Sequence, residues 1–339
     1  MKALLIHGKD DLRLEEVPTP EPGEGQVRLR MAYGGICGSD LHYYFQGANG
    51  EYVVREPLVP GHEVSGTVDL DPSGELAPGT PVTVHPATFG TSEAGVEDRR
   101  HLWPGGTYLG SASTNPHTQG GMSEYLIVQD FMVRPLPDGL SLKLAALAEP
   151  LGVGLHAINL AGGVQGKRVL VSGSGPIGLL LTAAAATLGA AEITSTDVLD
   201  GPLERARAVG ATHTINVSSE EIPAMSYDVV FECSGVAGAV SPALAAVRRA
   251  GTVVQVGMVP NEPRPINLAP FVSKEVTYLG SFRFNDEIDQ AVQLLTEHPN
   301  LGDVVTHVLP AEDAVEAFAI AKDSETSGKV LVSLWQDEA

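Results

Sequence analysis

A chain of 339 residues has the length of about two domains. With 43% apolar and 19% charged residues it can bury sizeable cores, which excludes a disordered chain. A formal net charge of -21 excludes the basic footprint that nucleic-acid binding requires, and no apolar run is long enough to span a bilayer.

Met1-Lys2-Ala3 leads straight into a strand-like stretch with no hydrophobic segment and cleavage site of the secretory kind, so a cytoplasmic protein is expected. Two cysteines, Cys37 and Cys233, make no disulfide framework and agree with a reducing compartment. Residues 1–145 are rich in Gly and Pro, with short alternating runs such as Gln26 to Met31 and Glu63 to Val68. Short strands between turn residues predict an irregular, partly barrel-like β domain.

That first domain carries the densest chemistry. Gly34 to Tyr44 contains Cys37, and Gly61-His62-Glu63 and Glu149-Pro150 follow it. A thiolate, an imidazole and two carboxylates form a set that zinc accepts, with a position left for water or substrate. Each residue has a plainer reading. Cys37 fits a small buried residue, His62 a structural one, and Glu149 a helix-start acid favoured by the dipole. Their joint occurrence favours the metal. Asp40 is then expected as a hydrogen-bond acceptor that fixes the tautomer of His62.

From 146 to 281 the texture becomes strand, helix, strand, which predicts a doubly wound, largely parallel α/β sheet. Val169-Leu170-Val171 reads as a buried strand and Leu179 to Leu188 as a helix. Ile193 to Asp197, Asp228 to Glu232 and Thr252 to Val256 read as further strands. Between the first strand and its helix lies Gly173-Ser174-Gly175-Pro176-Ile177-Gly178, a GxGxxG dinucleotide motif. Its glycines permit the tight turn, the approach of a pyrophosphate and close helix–strand packing. Asp197 stands at the distance expected of the acid that takes the ribose hydroxyls, which favours NAD, with NADP the alternative. Cys233 is expected at a strand end near the cofactor and not as a ligand. Residues 282–339 return to mixed texture, with a helix near Ala314 to Lys322 and a strand from Lys329 to Leu334.

The stretch Gly34 to Tyr44, Gly61-His62-Glu63, Glu149-Pro150-Leu151, the glycine motif and Gly280-Ser281-Phe282-Arg283-Phe284 together resemble the zinc-dependent medium-chain dehydrogenases, in particular their polyol dehydrogenase branch. The resemblance covers nearly the whole chain. It implies a GroES-like catalytic domain over 1–145, a Rossmann NAD-binding domain over 146–281 and a C-terminal segment, 282–339, returning to the catalytic domain. It implies zinc held by Cys37, His62, Glu63 and Glu149, where either glutamate binds directly or through water. Glu63 is thereby placed among the catalytic residues. Ser39 matches the hydroxyl that takes the substrate proton and His42 the imidazole that passes it on. Tyr43 and Arg283 match substrate-side positions, with a core aromatic and a salt-bridge partner as their plainer readings. Cofactor contacts are implied at Gly173, Gly175, Pro176, Ile177, Gly178, Asp197, Val256, Gly257, Met258, Ser281 and Arg283. The implied substrate is a polyol or sugar acid. Separately, an exposed edge strand of the parallel sheet that could pair across a two-fold axis leads to the expectation of a homodimer or homotetramer.

Two departures stand out. Many relatives hold a second, structural zinc with four close cysteines, but Ala87 to Thr107 contains none, so only the catalytic zinc is expected. Pro202 stands where relatives often place a basic residue near the adenosine. Two other classes remain open at this point: a zinc-free quinone or enone reductase of the same superfamily, and a noncatalytic nucleotide-binding protein that kept the fold. A metal assay tests the first, and an NADH-absorbance assay the second.

Overall fold

The computed structural model describes residues 1–335, which form two compact units. The first comprises Met1–Glu149, Ala291–Lys322 and the chain from Lys329. Its centre is the strand Gln26–Gly35, in which Val27, Leu29 and Met31 are buried while Gln26, Arg28 and Arg30 are half-buried, the two-residue period of a sheet with one face in the core. Tyr125–Gln129, Glu63–Leu70 and Lys329–Ser333 all pair with it antiparallel. The full sheet runs Val133–Pro135, Pro81–Val84, Glu63–Leu70, Gln26–Gly35, Lys329–Ser333, Val305–Pro310. The last two strands lie parallel, with helix Ala314–Lys322 between them in sequence.

Register then positions the chemistry. Gly35 faces Glu63 on one side and Leu331 on the other. Lys329 lies two residues before Leu331, on the same face of its strand. Beyond Gly35 the chain turns into helix Gly38–Gln46, with Cys37 at its extended N-cap and Gly47, at φ 75°, closing it in the left-handed conformation.

The second unit comprises Pro150–Gln290 and Asp323–Gly328. Its six strands are all parallel, in the order His213–Asn216, Glu192–Asp197, Arg168–Ser172, Tyr227–Glu232, Val247–Gln255, Thr277–Gly280. In chain order this is 3-2-1-4-5-6, and the direction of winding reverses between Arg168–Ser172 and Tyr227–Glu232. The helix expected from Leu179 begins earlier, at Pro176, because proline at the first helical position needs no N–H partner. The fifth strand likewise starts before Thr252, at Val247. Segment Asp323–Gly328 docks on helix Asp200–Ala208. There Arg205 donates to the carbonyls of Ser324 and Glu325, and Gly201 leaves room for the Glu325 carbonyl, which an added Cβ would meet at 2.0 Å.

Candidate metal centre and nucleotide crevice

Asp40 holds the metal centre together from below. One of its oxygens accepts the Cys37 N–H at 2.9 Å and the other the Gly61 N–H at 3.2 Å, so a fully buried carboxylate ties the cysteine turn to the histidine turn. This corrects the expectation that Asp40 sets the tautomer of His62. Helix N-terminal and turn N–H groups take both of its oxygens, as an acid at the third helical position is suited to do. His62 Nδ1 is left buried with no hydrogen-bond partner.

Donor atoms of Cys37, His62 and Glu63 all lie within 4.8 Å of one another. The fourth expected ligand, Glu149, stands outside that triplet. It lies in the first turn of helix Ala148–Leu160 and accepts the Tyr108 hydroxyl at 2.6 Å. Burial raises its carboxyl above the usual range, with the His62 charge pulling the other way. Burial also opposes an imidazolium at His62, yet the Cys37 thiolate, with Glu149 and Asp40 behind it, holds the ring up at about 10. A thiol, an orphaned imidazole nitrogen and buried carboxylates fit a divalent cation, which would neutralise the anions that otherwise keep that proton on His62.

A residue not singled out in the sequence completes the centre. Lys329 forms a salt bridge with Glu63, both side chains being 1% exposed, and donates to the Ile36 carbonyl at 2.9 Å. Burial opposes its charge, but Glu63, Cys37 and Glu149 together raise its pKa. The pair fits only because residue 35 is glycine: a Cβ there would lie 2.0 Å from Glu63 Oε2 and 3.0 Å from Lys329 Cε. A lone lysine opening the run Lys329-Val330-Leu331-Val332 carries no sequence signal of this role.

Ser39 and His42 lie three residues apart on helix Gly38–Gln46, hence on one face. Ser39 is half-buried and His42 exposed, with its Nδ1 3.1 Å from Asn49 Oδ1. Tyr43 departs from the substrate-side expectation. It is 2% exposed, packs in the hydrophobic core and accepts the Ala112 N–H at 3.1 Å, so it takes the core-aromatic alternative. The spacing 40, 43, 44 of the buried residues is the core stripe of this helix.

In the second unit, the glycine motif sits at the reversal of winding. Gly173 has φ 93°, and a Cβ on it would meet Ser234 N at 2.8 Å, while one on Gly178 would meet the Gly173 carbonyl at 1.9 Å. At Gly175, by contrast, a Cβ would meet nothing within 4 Å, and the helix from Pro176 starts with no side-chain cap, so the first-turn N–H groups of Ile177 and Gly178 offer a cradle suited to an anion such as a pyrophosphate. Asp197 ends the second strand and accepts from Ser174 N at 2.9 Å and Val198 N at 2.8 Å, bracing the cradle. Val256 and Gly257 both donate to the Glu232 carbonyl, and Met258 is 77% exposed. Ser281 N donates to Gln255 O while its hydroxyl is buried without a partner. Arg283 has φ 52°, and its guanidinium lies 4.8 Å from the Phe282 ring centroid. Cys233 follows the fourth strand, its N–H on Ser172 O, and burial pushes its thiol pKa up.

The cysteine-free lobe at 87–107 is built by packing. Arg100 stacks on Phe89 at 4.4 Å, Phe89 on Phe131, and Trp103 Nε1 donates to Val96 O. Gly90 lets the Pro104 carbonyl in, where a Cβ would sit at 1.8 Å.

A thiol–imidazole–carboxylate centre and a dinucleotide cradle define a metal-dependent, nucleotide-linked oxidoreductase. Residues 23–138 match the alcohol dehydrogenase GroES-like domain and residues 176–297 the zinc-binding dehydrogenase domain. The chain is 38% identical to sorbitol dehydrogenase of Gallus gallus over 95% of this chain and 94% of that one. It is 34% identical to L-idonate 5-dehydrogenase (NAD(P)(+)) of Escherichia coli K12 over 97% of each. The crystal structure of L-idonate 5-dehydrogenase from E. coli superposes with a TM-score of 0.91, at 33% identity over 98% of this chain and 97% of that one. The structure of 2R,3R-butanediol dehydrogenase from Bacillus subtilis gives 0.87, at 28% identity over 98% and 99%. The chain therefore belongs to the zinc-binding dehydrogenase family and has the medium-chain dehydrogenase fold, a GroES-like domain with a Rossmann domain. It is an alcohol oxidoreductase, and the family implies zinc and NAD(P). Among the described residues no helix is long and apolar enough to cross a membrane.

Proposed function

We propose that this protein oxidises a secondary hydroxyl of a polyol or sugar acid with NAD, and that L-idonate, giving 5-ketogluconate, is the first substrate to test, with sorbitol- and xylitol-type polyols next. The observation that carries the reading is the convergence of Cys37, His62 and Glu63 in one buried cluster. These three would hold zinc, with Glu149 close enough to exert a charge on His62 but held by Tyr108. Bound there, zinc supplies Lewis acidity that favours loss of the substrate hydroxyl proton, and NAD supplies the hydride acceptor.

The chain's own residues do the rest. Ser39 accepts the hydroxyl proton and His42, on the same helix face, carries it to solvent. With Asn49 Oδ1 accepting from Nδ1, the Nε2 lone pair of His42 is free to take that proton. Arg283, whose fork suits hydroxyls or a carboxylate, orients the far end of the substrate. One feature supports NAD over NADP: the Asp197 carboxylate, which ends the second strand beside the glycine motif. The outer side of edge strand Thr277–Gly280, unpaired among the described residues, supports a homodimer, or a homotetramer built from it, which light scattering would size.

The test is a panel of polyols and aldonates assayed with NAD and with NADP, run beside zinc analysis of the wild type and Cys37→Ser. Zinc and NAD-linked turnover are expected to disappear together in the variant. Unaltered turnover in C37S would sink the metal reading and favour a zinc-free reductase, and a strong preference for neutral polyols would remove L-idonate.

A further inference from the structure

Among the described residues outside the metal centre, the fully buried acid is Glu232, the last residue of the fourth strand. Its carboxylate receives four hydrogen bonds: from Ser234 N at 2.9 Å, from Ser234 Oγ, from Gly235 N at 3.2 Å and from Gln255 Nε2. Every one of these partners donates, so the carboxyl oxygens serve only as acceptors, and every donor is a neutral dipole. Gln255 ends the fifth strand and accepts the hydroxyl of Tyr278, on the sixth, at 2.7 Å. The network thus joins the ends of strands four and five to strand six, the half of the sheet that serves the second mononucleotide in this winding. The loop it shapes also closes against the cradle: Ser234 and Gly235 are the atoms that a side chain at Gly173 or Gly257 would strike.

We propose that Glu232 is a fixed negative charge serving the nicotinamide half of the crevice, and that it tilts affinity toward the oxidised, cationic nicotinamide relative to the neutral reduced one. The inference rests on the reading that the crevice takes a nicotinamide dinucleotide. Two nucleotides that share every atom of the adenosine diphosphate ribose moiety and differ in ring charge feel a buried carboxylate differently. A loop that is merely well packed serves both alike. Glu232 is in this sense a positioning and electrostatic residue, with no proton or hydride passing through it.

The experiment measures dissociation constants of NAD+, NADH and adenosine diphosphate ribose by calorimetry for the wild type, Glu232→Gln and Gln255→Lys. The first variant removes the charge, and the second keeps Glu232 but sets an ammonium beside it. In both, the ratio of the NAD+ constant to the NADH constant is expected to rise about three- to tenfold, while the constant for adenosine diphosphate ribose changes less than that ratio. If E232Q fails to fold, Q255K carries the comparison. Equal weakening of all three ligands, or an unchanged ratio, overturns the proposal and leaves Glu232 a loop anchor. A wild type that binds none of the three instead overturns the dinucleotide reading beneath it.

Discussion

The Lys329–Glu63 pair gives the sharpest energetic prediction. Lys329→Met keeps the length of the stem and removes the ammonium, leaving the Glu63 carboxylate 1% exposed without its counter-charge. Removing one partner of such a pair costs about 3–5 kcal/mol, because the remaining ion is desolvated and uncompensated. Replacing both, in K329M/E63L, is expected to recover that loss and to lie between neutral and about 1–4 kcal/mol more stable than the intact pair, since the desolvation cost disappears with the charges. Both tryptophans, Trp103 and Trp335, belong to the first unit, so their fluorescence reports its unfolding separately from that of the second. Urea melts of chelator-treated wild type, K329M, E63L and the double variant then close a thermodynamic cycle. A K329M loss below about 1 kcal/mol, or a double variant whose loss equals the sum of the two single losses, would refute the buried-pair account.

Three further predictions test neighbouring features. Gly35→Ala places a methyl 2.0 Å from Glu63 Oε2, so it is expected to displace that carboxylate, cost about 1–3 kcal/mol and lower zinc per chain by atomic absorption; wild-type zinc content would count against it. In the second unit, Glu287 is held down at about 2, against its burial, by His156 at 2.9 Å and the Asn285 N–H at 2.8 Å. A depressed carboxyl stabilises the fold above its unfolded value and loses that contribution as pH falls through the folded one. The stability difference between wild type and Glu287→Gln, read by hydrogen exchange, should therefore be full above about pH 5, about 3 kcal/mol at most, and vanish toward pH 2; a pH-independent difference would contradict it. Finally, Gly90→Ala collides with the Pro104 carbonyl at 1.8 Å and should destabilise the cysteine-free lobe by about 1–3 kcal/mol. Trp103 fluorescence would report that loosening, and an unchanged melt would show that the lobe tolerates the shift.

The parallel sheet was legible because strands such as Arg168–Ser172 and Tyr227–Glu232 carry apolar runs and its first turn has three glycines at fixed spacing, two of them, Gly173 and Gly178, required by close backbone approach. Cys37, His62 and Glu63 were legible because their donor types belong together chemically. What escaped was pairing across the chain. Lys329 reads as the solvated start of a strand until the register sets it beside Glu63. Asp40 was placed on the imidazole, but a helix N-terminus offers nearer donors. Tyr43 follows a family position toward substrate, yet the helix period turns it into the core, a signal present in the spacing of Asp40, Tyr43 and Tyr44. Glu232 looked like an ordinary strand residue beside a cysteine, since nothing local reveals that four donors converge on it.

Strand Lys329–Ser333 has a kinetic implication. The sequence separation between Glu63 and its ammonium partner spans most of the polypeptide, so the entropic cost of closing that loop falls late in self-assembly. A nascent chain that has synthesised only the early sheet holds the thiol, the imidazole and an acid without its counter-ion, and one side of its central strand is unpaired. Metal taken up during translation would meet a pocket with one negative charge too many. Loading after the final strand docks would therefore meet the balanced pocket.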